Sequence, residues 1–479
     1  MNSPAPKTAL QPDREITDIA TYVCNFRIED AAAFAAARRC LVDAIACACE
    51  ATRHTECTKL LGPLVPGAGM LHGARVPCTS FELDPASAAF NIGTLVRWLD
   101  LNDTFTAAQG SHPSDNVAGI LATADYLSRR RLLERCAPLV MRDVLEFLIK
   151  AYEIQGCIAL ENDFSGMGLD HVILTRVATA SVVTRMLGGG HDEVFNAASN
   201  AWLDAGLRVF RQAPCAGSRK GWAAGDASAQ AVRLAFMAVK GEMGYPLALS
   251  AKKWGFYDTY LDGKPFAFQR PYGAYVIQNA MLKFVAAGMH GQSAVECAFQ
   301  QHPLVRDRLD EIERIEIFSQ RALIGIMDKS GPLRNPADRD HCVQYVVALG
   351  LILGRLNPAD FEDEVASDPR IDALRDKMVV IEDANFTQGF YDPARRSSAN
   401  GLKIHFKDGS STPRVDVEYP AGHPKRRAET AEIFRRKLIN GLNLCFAPKQ
   451  RDRILSICED QARFEATPVH EFMAALAIG

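Results

Sequence analysis

No stretch of this 479-residue chain runs uninterrupted for about 18 apolar residues, so nothing in it asks to span a membrane. No C-x-x-C occurs among its 13 cysteines, and the closest pair, Cys47 and Cys49, has the wrong spacing for a zinc knuckle or an iron–sulfur cluster. The odd count and the apolar, helical-looking surroundings of Cys40, Cys136 and Cys458 point to reduced thiols rather than a disulfide scaffold. A Walker loop, a dinucleotide fingerprint, HExxH, an EF-hand and a nucleophile elbow are all missing. Neither sign of charge dominates. The formal charge is −3 and no lysine-arginine stripe interleaves with aromatics, which argues against a nucleic-acid surface. The opening MNSPAPKTALQPDRE is polar and holds no arginine before Arg14, unlike a secretory or mitochondrial leader. The expectation is a cytoplasmic protein with no cofactor and no metal.

With 48% apolar and 23% charged residues the chain reads as globular, and its length favours two domains. Residues 15–50 read as two helices, the second rich in alanine. A Gly/Pro/Thr loop follows over 52–84, then helical patterns at 115–130, 138–160, 171–188, 191–210 and 223–240. Gly188-Gly189-Gly190 would close the 171–188 helix. After about residue 278 the period changes. Glu313–Phe318 and Lys377–Ile381 alternate, and Gly401–Phe406 and Arg414–Tyr419 flank an Asp408-Gly409 turn of hairpin type. A helix is expected over 338–355, and helix returns over 428–445 and 450–475. The first half is therefore helical, and the second unit is α+β.

The stretch Arg97–Asn116 (RWLDLNDTFTAAQGSHPSDN) is the polar centre of the first half. Asp84-Pro85 opens the helix before it, an N-cap followed by proline at the first helical position. Ser114 could cap the helix after it. Asp100 and Thr104, four apart, would share a face if the first helix ran that far. His112 stands just before a helix N-terminus, where backbone N–H groups receive anions. Further polar turns hold His171, the Ser218-Arg219-Lys220-Gly221 run, Arg270 in FQRPYG, Lys283 in an apolar run ended by His290, and NPADRDHC before the 338–355 helix. Histidine, lysine, arginine, aspartate and threonine at helix ends suit cofactor-free acid–base chemistry on an anionic substrate.

Those same places carry a resemblance. RWLDLNDT, HPSDN with ILATADYLSRR, YEIQGCIALEN, GLDHV, SRKGWAAGDA, FQRPYGAYV, DKSGPLRNPADRDHCVQYVVALGLILGRL and DVEYPAGHPKRRAE, in order from about residue 15, resemble the MmgE/PrpD family, and within it the iron–sulfur-independent 2-methylcitrate dehydratases. The resemblance implies a mainly α fold: a large all-helical domain of residues 1–277 plus 424–479, and a smaller α+β lid domain of residues 278–423, with the site at their junction. It also implies a homodimer and a place in propionate catabolism. Carried over from cis-aconitate decarboxylase relatives, the catalytic positions fall on Asp100, Thr104, His112, His171, Lys220 and Lys283. Arg219, Arg270 and His290 are candidates for binding the substrate, His290 lying farther beyond Lys283 than the histidine of that relative.

Family function meets this chemistry. Dehydrating a 2-alkylcitrate removes a weakly acidic proton beside a carboxylate and expels hydroxide. That needs a base, an acid for the leaving oxygen, and cations for three carboxylates. Lys220, Lys283, Arg219 and Arg270 can supply the cations; His112, His171 and Asp100 can exchange protons. Aconitase does this with a cluster bound by cysteines including a C-x-x-C, which this chain lacks. Phe105, Gln109 and Gly288 depart from the family pattern, where Trp, Glu and a Pro-Ala-Glu-Phe-His run are usual. If they line the pocket, it is roomier and less acidic, suiting a longer alkyl chain. The alternatives are decarboxylation of cis-aconitate and a tricarboxylate-binding pseudoenzyme.

Overall fold

The computed structural model describes residues 11–212 and 214–478; residues 1–10, on which the reading of the N-terminus as leaderless rests, lie outside them. The fold is mainly α with one four-stranded sheet and a two-stranded ribbon, Ala74–Arg75 with Glu82–Leu83. The alanine-rich helix is Ala31–Ala51, and almost its whole length is buried. The helix Pro85–Arg97 begins as the sequence requires, with Asp84 Oδ1 accepting from the N–H groups of Ala86 and Ser87 at 3.0 and 3.1 Å. Gly188 closes the Val172–Met186 helix with φ +95°. Among the described residues no helix is long and apolar enough to cross a membrane.

One helix pair positions the site. Pro85–Arg97 crosses Arg219–Ala238 at two glycines: a Cβ on Gly93 would lie 2.5 Å from the Cα of Gly225, and one on Gly225 would lie 2.5 Å from the carbonyl oxygen of Phe90. The backbones touch there, so any side chain at either position forces the helices apart. One turn onward, a Cβ on Gly221 would strike the Trp98 ring at 2.7 Å. This close approach sets the C-terminal end of one helix, with Arg97 and Asp100, beside the N-terminal end of the other, with Lys220.

The four-stranded sheet runs Met378–Glu382, Ile312–Ser319, Asn400–Phe406, Val415–Val417, the first pair parallel and the others antiparallel. Its alternation matches the sequence reading, and Gly409 takes φ +83° in the expected turn. The helix Gln292–Val305 packs on the strands Asn400–Phe406 and Val415–Val417, and Val343–Leu353 packs on that helix in turn. Two apolar cores result, one of residues between 16 and 280 plus 438–476, the other almost wholly of residues between 286 and 417.

Several expectations need correction. The 338–355 helix is two helices, Pro336–Arg339 and Val343–Leu353, broken at Asp340-His341-Cys342. The 191–210 helix stops at Trp202, because residues 203–208 turn back toward the site. Residues 450–475 form three short helices, Pro448–Cys458, Gln461–Ala466 and Val469–Ala475. Ser114 caps nothing: its N–H donates to Asp103 Oδ1 at 3.0 Å and its hydroxyl accepts from Asn102 at 2.8 Å. Asp100 and Thr104 share no helix face, since the helix ends at Arg97 and Asp100 takes φ +49°.

Candidate active site

Left-handed backbone in a non-glycine residue is uncommon, and at Asp100 it aims the carboxylate inward. That carboxylate is the hub. Its Oδ1 accepts from Arg97 Nη1 and from Lys283 Nζ at 3.2 Å and stands 3.3 Å from His112 Nε2, while its Oδ2 stands 3.5 Å from His341 Nε2. Burial works against the charge, but Arg97 and then Lys283 overcome it and hold the carboxyl well below its ordinary range. Lys283 is fully buried and also donates to the Asp100 carbonyl. It is placed there by the chain just before it. Thr104 and Met281 exchange both backbone hydrogen bonds at 2.8 Å, clamping the lysine segment onto the central loop.

A second buried cluster abuts the first. Lys220 Nζ pairs with Asp340 Oδ1 and lies 2.7 Å from His341 Nδ1, itself 2.8 Å from the same carboxylate oxygen. The helix break at 340–342 makes this possible, because continuous helix would carry Asp340 and His341 around its axis. Burial lowers Lys220 to about 8 despite Asp340, and His341 to about 4.

His112, His171, His290 and His341 line one cavity of about 280 Å³, with Arg97, Arg208, Arg211, Gln109 and Met289. The His112 and His171 rings stand 5.8 Å apart. His112 Nδ1 contacts the Asp103 carbonyl at 2.7 Å, an acceptor that fixes the proton on Nδ1 and the lone pair on Nε2. The buried His171 Nε2 has no hydrogen-bond partner; the nearest carboxylate oxygen, of Asp115, is 3.9 Å away. Burial with Arg211, Arg97 and Arg208 nearby outweighs Asp170 and lowers His171 to about 3. His290 falls to about 3 through burial, and His112 well below its ordinary value through burial and Arg97. All four imidazoles are thus neutral at pH 7. A neutral imidazole with a free nitrogen in a cationic cavity can take a proton, and the cations can hold carboxylates.

Of the residues singled out from sequence, Asp100, Thr104, His112, His171, Lys220, Lys283 and His290 gather at this junction. Thr104 donates to the Ser111 carbonyl and to Met289 Sδ, both at 3.0 Å, so its hydroxyl is engaged in holding the loop. Arg219 and Arg270 lie elsewhere. Arg219 pairs with Asp226 at 3.0 Å and stacks 4.2 Å over Trp222, on the outer side of its helix. Arg270 stacks 3.6 Å over Tyr275, facing a groove against the first helix. Phe105 does not line the cavity; it packs edge-on against Tyr275. Gln109 does line it, but its amide is tied to Ser165 and Gly110. A Cβ on Gly288 would press on Met327 and on His341 Nε2, at 3.0 and 3.2 Å.

Arg97, Arg208, Arg211, Asp340 and His341 were missed as site residues. Asp340 and His341 had a signal, two titratable groups between a helix cap and an apolar run. Arg208 and Arg211 had none: Arg208 falls inside the stretch read as helix over 191–210, and Arg211 just past it.

A lobe junction lined by neutral imidazoles and paired cations defines an acid–base enzyme class, and the chain belongs to the MmgE/PrpD family. The MmgE/PrpD N-terminal domain matches residues 17–269 and the MmgE/PrpD C-terminal domain residues 285–461. The chain is 52% identical to 2-methylcitrate dehydratase of Cupriavidus necator over 98% of each chain. It is also 52% identical to 2-methylcitrate dehydratase of Salmonella typhimurium over 96% of each. To the mitochondrial 2-methylcitrate dehydratase of Yarrowia lipolytica it is 44% identical, over 93% of this chain and 86% of that one.

Proposed function

We propose that this protein dehydrates 2-methylcitrate to 2-methyl-cis-aconitate by acid–base elimination. The relatives named above carry the substrate; the neutral His171 imidazole lining the cavity among arginines carries the chemistry. Arg97, Arg208 and Arg211, which line the cavity, hold the carboxylates and take up charge as the carboxylate beside the reacting carbon gains aci character, with Lys283 fixing Asp100 behind them. His171 removes the proton from the methyl-bearing carbon through Nδ1, since its Nε2 is sealed against Asp115. The adjacent C–O bond breaks, and His341 gives its Nε2 proton to the departing hydroxyl, which leaves as water. Lys220, against His341 Nδ1, returns a proton to that ring. Asp100 holds Arg97, Lys283 and His112 in register, so it positions rather than reacts.

In this reading residues 278–423 act as a lid on the helical body of 1–277 and 424–479, and closure excludes water from the cations. Ala107, Ala108, Gly110, Ala322 and Gly325 give the cavity a small-residue side where the alkyl group fits. A homodimer in the cytoplasm, implied by the family, is checked by light scattering and fractionation.

The test is incubation of chelator-treated protein with 2-methylcitrate, watched for enoate absorbance in the ultraviolet. Turnover in the parent chain, and losses of about 10²-fold or more in His171→Ala and in His341→Ala, are expected. No enoate from the parent chain, or near-normal turnover in both variants, would overturn the assignment. Carbon dioxide evolved from cis-aconitate would favour decarboxylation instead.

A further inference from the structure

Three cysteines far apart in sequence meet away from the cavity. Cys49 lies in the last turn of the Ala31–Ala51 helix, Cys78 sits in the turn of the two-stranded ribbon, and Cys445 is the last residue of the helix Ala431–Cys445. Their sulfurs all lie within 4.8 Å of one another, and those of Cys49 and Cys78 are 3.2 Å apart. None of them lines the catalytic cavity.

We propose that Cys49, Cys78 and Cys445 form a three-coordinate thiolate site for monovalent copper. A metal–sulfur distance of about 2.3 Å puts the sulfurs of a trigonal site about 4 Å apart; the three sulfurs here lie within 4.8 Å, and Cys49 and Cys78, at 3.2 Å, would part slightly to admit the ion. Thiolate is the soft donor that such a cation selects. Zinc asks for a fourth strong ligand, and among the described residues no further histidine, cysteine or carboxylate joins the group. Thr52 offers only a hydroxyl, 3.4 Å from Cys445.

The scaffold holds the three sulfurs together. Cys78 takes φ +62°, a conformation uncommon outside glycine, and its N–H donates to the Leu476 carbonyl at 2.8 Å. At Gly441, one turn before Cys445, a Cβ would lie 2.9 Å from the Ala46 carbonyl oxygen, so the first and last long helices touch through backbone exactly where their cysteines face. Cys49 and Cys78 are buried and Cys445 is partly exposed, which provides an entry path. Binding replaces thiol protons, which pass to the buffer. No electron moves: copper stays monovalent and sulfur stays reduced.

The full chain, reduced with a phosphine, is titrated with monovalent copper against a chromophoric chelator, with zinc as a parallel arm. One equivalent of copper, a near-ultraviolet sulfur-to-copper band and protection of Cys445 from alkylation are expected. Affinity should fall at least ten-fold in Cys445→Ala and in Cys49→Ser, and stay unchanged in Cys136→Ser, which alters an exposed thiol. Cys445 protection is read on the unsubstituted chain, so poor folding of a variant does not void the test. Absence of the band, unprotected Cys445, equal binding by all variants, tighter zinc than copper, or a Cys49–Cys78 disulfide in unreduced protein would each overturn the proposal.

Discussion

Replacing Lys283 by methionine tests the charge hub directly, because the side chain keeps its length and loses only its ammonium. At 3.2 Å from Asp100 Oδ1, a pair at an effective dielectric of 20 attracts by about 5 kcal/mol. The net loss is smaller, because burying the lysine itself costs energy and Arg97 remains on the carboxylate. Stranding a buried charge altogether costs about 3–5 kcal/mol, so Lys283→Met should destabilise by about 3 kcal/mol at pH 7. Asp100→Asn in the same background removes the carboxylate left short of a cation. The double variant should therefore be at least about 2 kcal/mol more stable than the two single losses added together. Urea unfolding followed by tryptophan fluorescence reads this, since Trp98 lies two residues from Asp100. Turnover should fall about 10²-fold or more in Lys283→Met, as for removal of one preorganised stabilising group. A single variant within about 0.5 kcal/mol of the parent, the range of surface substitutions, or strict additivity in the cycle, would refute the picture of Asp100 as an electrostatic hub.

Four further outcomes follow from the same geometry. Between the ordinary histidine value of 6.5 and the folded value of about 3 for His171, the unfolded chain binds a proton that the folded chain refuses. Stability should be full above about pH 6.5 and fall on acidification by about 1.4 kcal/mol per pH unit per buried histidine; His171→Gln should flatten that slope in denaturation scans. The kcat/KM profile should keep its acid side down to about pH 4, because the imidazoles are already neutral, and lose activity above about pH 8 as Lys220 deprotonates; an alkaline limb unmoved in Lys220→Arg would remove Lys220 from the proton path. Arg219→Ala and Arg270→Ala should keep turnover within about two-fold, by steady-state assay, since both side chains face away from the cavity. Gly288→Ala should lower kcat about ten-fold with the melting temperature little changed, because its methyl displaces His341 by tenths of an ångström.

Much of the fold was legible because period and capping are local. The Asp84-Pro85 start, the Gly188 stop and the strand alternation at 312–319 each follow from a few adjacent residues. The family resemblance grouped six residues that meet at the junction, Asp100, Thr104, His112, His171, Lys220 and Lys283, which no pattern could have gathered. What was not legible depends on backbone breaks with no composition signal. Asp100 sits three residues past a helix whose stripe runs on to Leu99, and only its φ of +49° shows that the helix has ended. The same holds at Asp340-His341, where good capping residues and an apolar run conceal a break. Arg219 misled for the opposite reason: it adjoins Lys220, but neighbours on a helix point about 100° apart, so one faces the cavity and the other faces Asp226.

The buried charges themselves show what the architecture is for. Replacing a buried ion network with apolar side chains of equal volume generally leaves a protein as stable or more so, so Arg97, Asp100, Lys220, Lys283 and Asp340 are not kept for stability. Their arrangement is expensive in another way, because Oδ2 of Asp100 and Nε2 of His171 are buried without partners, and each such atom forfeits its bond to water. A cavity that pays those penalties holds its dipoles and charges already oriented, so none must reorganise when charge develops on a bound acid. Lys437, whose ammonium bonds Asp43 and the carbonyls of Leu101 and Lys283 at 2.6, 3.0 and 2.9 Å, ties the helix Ala431–Cys445 to that purpose. It fixes both the loop bearing Asp100 and the segment bearing Lys283 from behind, so a helix distant in sequence completes the frame on which those two segments place their charges.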